Sequence, residues 1–291
     1  MLDKTMSLGD VVSRLSDGMT IGIGGWGARR KPMALIREIV RSDLKDLTIV
    51  TYGGPDVGML ASAGKISKLI FGFVSLDLIP LDSHFRRARQ AGEFDVMEVD
   101  EGMFQLGLKA AAQRVPFLPT YTGLGTDVLT HNPDIKLTEC PYSGDMLVAM
   151  PALRLDAAIC HVNTCDKAGN SFIHGPDPFF DEWFCRAADA AYLTTEEIVP
   201  SSAFDDPETA RRMPIERSLI KGVALAPFGA HPTSCAPDYG IDTGHLNQYS
   251  AAAGEGWASY AAEFISPADE AAYASKVGGE TAIRALPLPI F

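Results

Sequence analysis

Met19-Thr20-Ile21-Gly22-Ile23-Gly24-Gly25-Trp26-Gly27 sets a short apolar run against a cluster of glycines, and Ala28-Arg29-Arg30-Lys31-Pro32 leads out of it. The run from Met19 to Gly24 reads as a short buried strand. Pro32 suits a first helical position, and Leu35, Ile36, Ile39 and Val40 then fall on one helical face. The same alternation continues downstream. Leu47 to Tyr52 is a strand closed by Gly53-Gly54, Val57 to Ala63 a short helix, and Lys68 to Val74 a strand again. His84 to Gly92 carries charge at helical spacing, Phe94 to Val99 alternates like a strand, and Met103 to Arg114 is rich in the helix formers Ala and Leu. Asp156 to Val162, Asn170 to Ile173 and Ala190 to Thr195 are later strand candidates, and an Ala-rich helical stretch runs from Asn247 to about Val277. Strands alternating with helices predict an α/β fold with an open, mostly parallel sheet and helices on both faces. Pro133 to Gly144 is the most loop-like interior stretch, but no linker or repeat divides the chain, so residues 1–291 are expected to form a single domain.

The 291 residues are 46% hydrophobic and 21% charged, enough to build a sizeable core. The formal charge of -12 repels nucleic acid and anionic lipid, so neither is an expected partner. No apolar run is long enough for a bilayer, and the segment from Met1 to Leu8 carries Asp3 and Lys4 where a signal sequence would be apolar. Five dispersed cysteines suggest no disulfide framework and fit a reducing compartment, so a cytoplasmic location is expected.

Gly22-Ile23-Gly24-Gly25-Trp26-Gly27 satisfies the G-x-G-x-x-G spacing of a dinucleotide site, between a strand and a helix. That fingerprint also needs an acid at the end of the second strand to bond the ribose hydroxyls. Here the strand ends Thr51-Tyr52-Gly53-Gly54, while Asp43 and Asp46 come before it, so nicotinamide binding is not expected. Gly24, Gly25, Trp26 and Gly27 can still bring backbone close to a ligand and expose N–H donors at a helix start. A tight strand-to-helix turn is the plainer alternative. Arg29 and Arg30, with Lys31, are candidates for the phosphates of a ligand, against the alternative of a solvated basic loop.

Phe85 to Arg89, Gly92-Glu93, Val115 to Thr120, Gly123 to Asp127 and Asp156 to His161 appear in an order and spacing that resemble the α subunit of glutaconate CoA-transferase. Asp166 with Gly169-Asn170, Ala187-Ala188, Thr195 to Val199 and Pro227 to Pro232 continue the resemblance. It covers the chain from about Gly22 to Pro232 and is similar to the family I CoA-transferases. It implies the NagB/RpiA-like α/β fold of that family. A CoA thioester would be the substrate, with no permanently bound cofactor. The partner would be a β subunit of the same family, in an assembly of two of each chain. In the family the covalent glutamate of true transferases lies on β, in a Glu-x-Gly or Glu-Asn-Gly setting. Gly254-Glu255-Gly256 lacks the surroundings of that motif, so no nucleophile is carried over to Glu255. The family's glycine loop usually reads Gly-Gly-Phe-Gly before a Pro-led helix; here Trp26 replaces the Phe and a basic triplet precedes Pro32. The chain is most similar to a branch acting late in steroid breakdown, whose members work as hydrolases. For that branch the resemblance implies opening of the last carbocyclic ring of a steroid-derived CoA thioester.

Hydrolysis beside a ketone needs a base, donors for the developing oxyanion, and a held thioester. Asp100 and Glu101 end the strand reaching Val99, just before a helix. The transferase pattern carries neutral polar residues there, so Glu101 is the candidate general base. Asp100 is assigned the helix cap; a dipole-complementing role is the plain alternative for Glu101. Cys160, His161, Cys165, His174 and Cys185 fit no trusted zinc spacing, so no metal site is expected. Ser143 lacks a nucleophile elbow, His231 reads as a structural loop residue, and Glu196-Glu197 as the start of a helix or loop. A true CoA-transferase subunit and a small-molecule sensor are the competing functions; the acidic charge and the lack of a helix-turn-helix module weigh against the sensor.

Overall fold

Apolar residues alternate between both faces of the central strands, and that fixes where the helices go. The computed structural model describes residues 2–266 and 269–288. Its strands are β1 (Thr20–Ile23), β2 (Leu47–Gly53), β3 (Ile66–Val74), β4 (Asp95–Glu98), β5 (Phe117–Thr120), β6 (Lys136–Glu139), β7 (Met146–Pro151), β8 (Leu155–Cys165), β9 (Ser171–Phe172), β10 (Ala188–Ile198) and β11 (Ile220–Leu225). The larger sheet runs β11-β10-β8-β1-β2-β3-β4 with every neighbouring pair parallel, and β9 adds antiparallel to β8. A second sheet, β5-β7-β6, is antiparallel.

In β2, Leu47 and Ile49 enter one core while Val50 and Tyr52 enter another; β3 and β8 divide Leu69 from Ile70 and Ile159 from Cys160 in the same way. Strands buried on both faces read as nearly unbroken apolar runs, which is why they were legible. Helices Met33–Arg41, Pro55–Ser62 and Ser83–Ala91, with Leu246, Tyr249, Tyr260 and Phe264 of the C-terminal helices, close the first core. Helices Glu101–Ala112 and Asp181–Ala187, with Val148 and Met150 of β7, close the second.

The sheet is the expected one, with local differences. Pro32 is the cap before the helix, not its first residue. Pro133 to Gly144 holds β6, and the small sheet escapes a periodicity reading because its strands are short and half-exposed, with Pro119 inside β5. The Ala-rich C-terminal stretch divides into Thr243–Ala251, Trp257–Phe264 and Glu270–Lys276; the first break holds Gly254, at φ 83°.

The chain crosses from β1 through β2 and β3 to β4 on one side, then returns to β8 on the other side of β1. The order therefore reverses between β1 and β8. Beyond the carboxyl ends of the strands at such a reversal lies the natural ligand crevice of an open α/β sheet.

Candidate functional site

The glycine loop leaves β1 at that reversal. Gly25 has φ 76°, and a Cβ there would lie 2.6 Å from the carbonyl oxygens of Arg29 and Arg30, so only glycine closes this turn. Gly54, at the end of β2, meets the same loop so closely that a Cβ would stand 1.8 Å from the Gly27 carbonyl oxygen. The amides are used within the chain. Gly24 donates to the Ile159 carbonyl (2.9 Å), Trp26 to Arg29 (3.0 Å) and Gly27 to Tyr52 (3.3 Å). Gly25 donates to Asp181 Oδ1 (2.8 Å) and Ala28 to Asp77 Oδ2 (3.2 Å). In the first turn of the following helix, Ala34 donates to the Gly229 carbonyl (2.8 Å). The sequence expectation of open N–H donors is corrected here: the loop is shaped by its amides and presents the Trp26 ring.

The basic triplet is also corrected. Arg30 is buried, its Nη1 2.5 Å from Asp181 Oδ2 and donating to the His161 carbonyl at 2.7 Å. Burial pushes the Asp181 carboxyl up, and the Arg30 guanidinium opposes that. Lys31 has no exposed side chain; its Nζ donates to Thr51 Oγ1 (2.7 Å) and pairs with Asp56 Oδ2 (3.2 Å). Burial pulls this ammonium down while Asp56 holds it up. Arg30 and Lys31 thus knit the loop to the core and have no free face for a phosphate. Arg29 reaches the surface, its side chain 36% exposed and its Nε 3.2 Å from Asp77 Oδ2.

Asp100 caps helix Glu101–Ala112, its carboxylate accepting from Gly102 N at 2.7 Å. Glu101 is the first helical residue, half-buried, at the carboxyl end of β4. Gln105 Nε2 donates to its Oε1 (3.1 Å), and its Oε2 has no protein partner among the described residues. The Tyr52 hydroxyl donates to the Glu101 carbonyl (3.2 Å). Burial first, and then the Glu101 charge, raise the Tyr52 pKa, so this phenol stays protonated and acts as a donor. Gly72 of β3 packs beside Glu101; a Cβ there would lie 3.7 Å from the Glu101 Cα.

Tyr52 joins the loop to the carboxylate. Its ring stacks on Trp26 at 4.9 Å between centroids and lies 5.5 Å from Phe73, 4.5 Å from Phe104 and 5.6 Å from Phe180. Trp26 in turn lies 4.9 Å from Phe73, 6.4 Å from Phe179 and 6.0 Å from Phe180. The structure therefore brings Trp26 and Glu101 together through Tyr52 and ties Arg30 beneath them. Sequence reasoning missed Tyr52, Phe73, Phe179, Phe180 and Asp181. The last three lie in a stretch with no periodicity, and the only signal was the acid at a helix start.

Across the reversal, His161 Nε2 meets Glu196 Oε1 at 2.8 Å and its Nδ1 meets Thr194 Oγ1 at 2.8 Å. Glu196 also accepts from the Tyr239 hydroxyl (2.6 Å) and Phe228 N (2.7 Å). Ligand atoms of His161, Glu196 and Cys235 all lie within 4.8 Å of one another, the one such trio among the described residues. The imidazole and carboxylate hydrogen-bond each other here, closer than the roughly 3.3 Å that separates two ligands at zinc distances of about 2.0–2.1 Å. His231 is structural as read: it is buried, bonded to the Tyr273 hydroxyl (2.7 Å) and Asp242 Oδ2 (3.1 Å). Ser143 donates to Asp145 at an exposed turn.

The sequence model of the family described as Coenzyme A transferase matches residues 5–223. The cholesterol ring-cleaving hydrolase IpdA subunit of Rhodococcus jostii (strain RHA1) is 46% identical over 277 residues, covering 92% of this chain and 94% of that one. Among solved structures, glutaconate coenzyme A-transferase from Acidaminococcus fermentans superposes with a TM-score of 0.90 at 26% identity, over 97% of this chain and 95% of that chain. The decarboxylase AibA/AibB superposes with a TM-score of 0.79 at 27% identity, over 88% and 97%.

Proposed function

Since the chain belongs to the coenzyme A transferase family, we propose that it is the α subunit of an acyl-CoA hydrolase that opens a carbocyclic ring of a steroid-derived CoA thioester, working with a β subunit of the same family. Two of each chain make up the assembly in this reading, and the CoA thioester is substrate, with no resident cofactor. The observation that carries it is Glu101: a half-buried carboxylate at a strand end, one oxygen fixed by Gln105 and the other without a partner among the described residues, in a chain 46% identical to a subunit named for ring-cleaving hydrolysis.

Glu101 Oε2 takes the proton of a water whose oxygen adds to the ring ketone. The ring carbon–carbon bond then breaks, its electron pair leaving as the enolate of a second carbonyl beside the departing carbon, and that carbon regains a proton from Glu101. The Tyr52 hydroxyl holds the Glu101 backbone, and Gln105 holds the carboxylate rotamer. Because the glycine-loop amides are spent within the chain, the donors that stabilise the alkoxide come from the β subunit. Arg29, at the surface beside the loop, is the cation available to a CoA phosphate.

The test is turnover of a cyclic keto acyl-CoA by the co-expressed complex, with Glu101→Gln as the variant. A general base contributes roughly a hundred- to ten-thousand-fold. The variant is expected to assemble, bind acyl-CoA and lose kcat by about that factor. Near-normal kcat would move the base to β. Exchange of labelled CoA between two acids, without water consumption, would instead establish a transferase, the activity carried by the name of the A. fermentans relative.

A further inference from the structure

Phe179 and Phe180 are consecutive residues in the left-handed region, at φ 52° and 64°. There a side chain crowds the following carbonyl, and phenylalanine has no local hydrogen bond to offset the crowding. Glycine or asparagine would make the same turn more easily, so what the phenylalanines add is their rings. The turn is held from both ends. Phe179 N donates to Asp177 Oδ1 (2.7 Å), and Asp181 N to the Pro178 carbonyl (3.1 Å). The Asp181 carboxylate binds Arg30 and Gly25 N, and the Arg30 guanidinium lies 5.2 Å from the Phe179 ring centre. Strained backbone kept by its surroundings points to a function of the group it displays.

Phe179 is buried against Arg30, whereas Phe180, Trp26 and Phe73 are each half-buried. The three partly exposed rings surround Tyr52, whose hydroxyl reaches the Glu101 backbone. An apolar surface thus surrounds the residue that bonds the Glu101 backbone, at the carboxyl edge of the sheet.

We infer that Trp26, Phe73 and Phe180 form the surface on which the alicyclic part of the acyl group packs, and that Phe180 is its specificity-determining ring. This deepens the proposed acyl-CoA reading and rests on it. A saturated ring lays its C–H face on aromatic faces and leaves water on both sides of the contact. The adenine of CoA is the other flat group available, but the pantetheine arm holds it away from the thioester, and this surface surrounds Tyr52, which bonds the backbone of the proposed base.

Calorimetry on the co-expressed complex with three non-hydrolysable probes tests this: free CoA, n-butyl-CoA thioether and cyclohexylmethyl-CoA thioether. The wild-type complex is expected to prefer the cyclohexylmethyl probe over the butyl probe by about tenfold or more, as a few buried methylenes provide. Phe180→Asn keeps the left-handed turn without the ring and is expected to reduce that preference to about threefold or less, with free CoA binding unchanged. Phe180→Tyr is expected to retain it. Trp26→Ala removes a second ring from a different segment, so the measurement survives if the Phe180 variant fails to assemble. An unchanged preference in both variants overturns the proposal, as does a wild-type complex without preference. Free CoA binding that falls in step overturns it in favour of adenine. A wild-type complex that prefers the ring probe yet hydrolyses no cyclic thioester defeats the hydrolase reading and leaves the ring surface standing.

Discussion

Two side-chain networks flank the reversal between β1 and β8, and they differ in how completely they are satisfied. On the β8 and β10 side, both nitrogens of His161 have partners within 2.8 Å, and Glu196 is held by His161, Tyr239 and Phe228 N. On the other side, one Glu101 oxygen has no partner among the described residues, and the rings of Trp26, Phe73 and Phe180 stay half-exposed around Tyr52. A polar group whose bonds are all made within the fold rigidifies it, and using it in a reaction means breaking those bonds first. A carboxylate with an open oxygen beside apolar surface has an acceptor ready for a water proton. The His161–Glu196 pair has the composition of a catalytic dyad, yet its geometry is that of scaffold. In the proposed reading the single carboxylate is the base.

The sharpest way to break this contrast is to neutralise each carboxylate in the assembled complex. Glu101→Gln is expected to lower kcat by about a hundred- to ten-thousand-fold with little change in stability. Glu196→Gln is expected to do the reverse. An amide oxygen replaces only part of what accepts from His161, Tyr239 and Phe228, so unfolding free energy is expected to fall by about 1–3 kcal/mol while kcat stays within roughly threefold. A Glu196 variant as slow as the Glu101 variant, in a well-folded complex, would make both networks catalytic and dissolve the distinction.

The next effect concerns what fastens the open side to its foundation. Arg30→Ala strands Asp181, which has no exposed side chain, as an unpaired charge. Breaking one partner of a buried pair is expected to remove about 3–5 kcal/mol of stability, seen as a large drop in Tm. A double variant, Arg30→Ala with Asp181→Asn, is expected to recover part of that loss, because the stranded charge is gone. Additive losses in the two single variants and the double would show that the ion pair is not what holds the glycine loop.

The parallel sheet was legible because strands buried on both faces, such as the run from Leu47 to Tyr52, have no polar alternation to confuse them, and glycines mark where they stop. The place of Glu101 at a strand end and helix start was legible because an acid directly after a strand is a local feature. The rest of the site was not. Phe179 and Phe180 lie more than 150 residues from Trp26 in sequence and meet it through the parallel pairing of β8 with β1 and the bonds of Asp181 to Gly25 and Arg30. The basic triplet misled for a related reason. Three consecutive cations look solvated until Asp56, Asp77 and Asp181, supplied by three other segments, are folded onto them. Side-chain pairing of this kind leaves no trace in local spacing.

Arg29 refines the same point at a smaller magnitude. Of the three cations it is the one with substantial surface exposure, so it has the charge to lend a phosphate. Arg29→Ala is expected to raise KM for acyl-CoA by roughly three- to tenfold with kcat unchanged, since a phosphate contact is alike in ground and transition states. The KM of the wild type is expected to rise with salt more steeply than that of the variant. Equal salt dependence would return Arg29 to the surface pairing with Asp77.

The smallest expected effect separates two neighbouring carboxylates. Asp100 and Glu101 are adjacent at one helix start, and a simple loss of charge there does not say which of them reacts. Asp100 is exposed, and its carboxylate already accepts from Gly102 N at 2.7 Å. Asparagine caps nearly as well as aspartate, whereas alanine leaves that amide without a partner. Asp100→Asn is therefore expected to preserve both stability and kcat, and Asp100→Ala to cost about 1 kcal/mol of stability while kcat changes less than about threefold. The pattern for a reacting group is the opposite: the Asn variant would be slow although its helix is intact. If Asp100→Asn loses activity while Glu101→Gln retains it, the base and the cap have been assigned to the wrong members of the pair. The unpartnered Glu101 oxygen would then be only a surface acceptor beside the helix dipole.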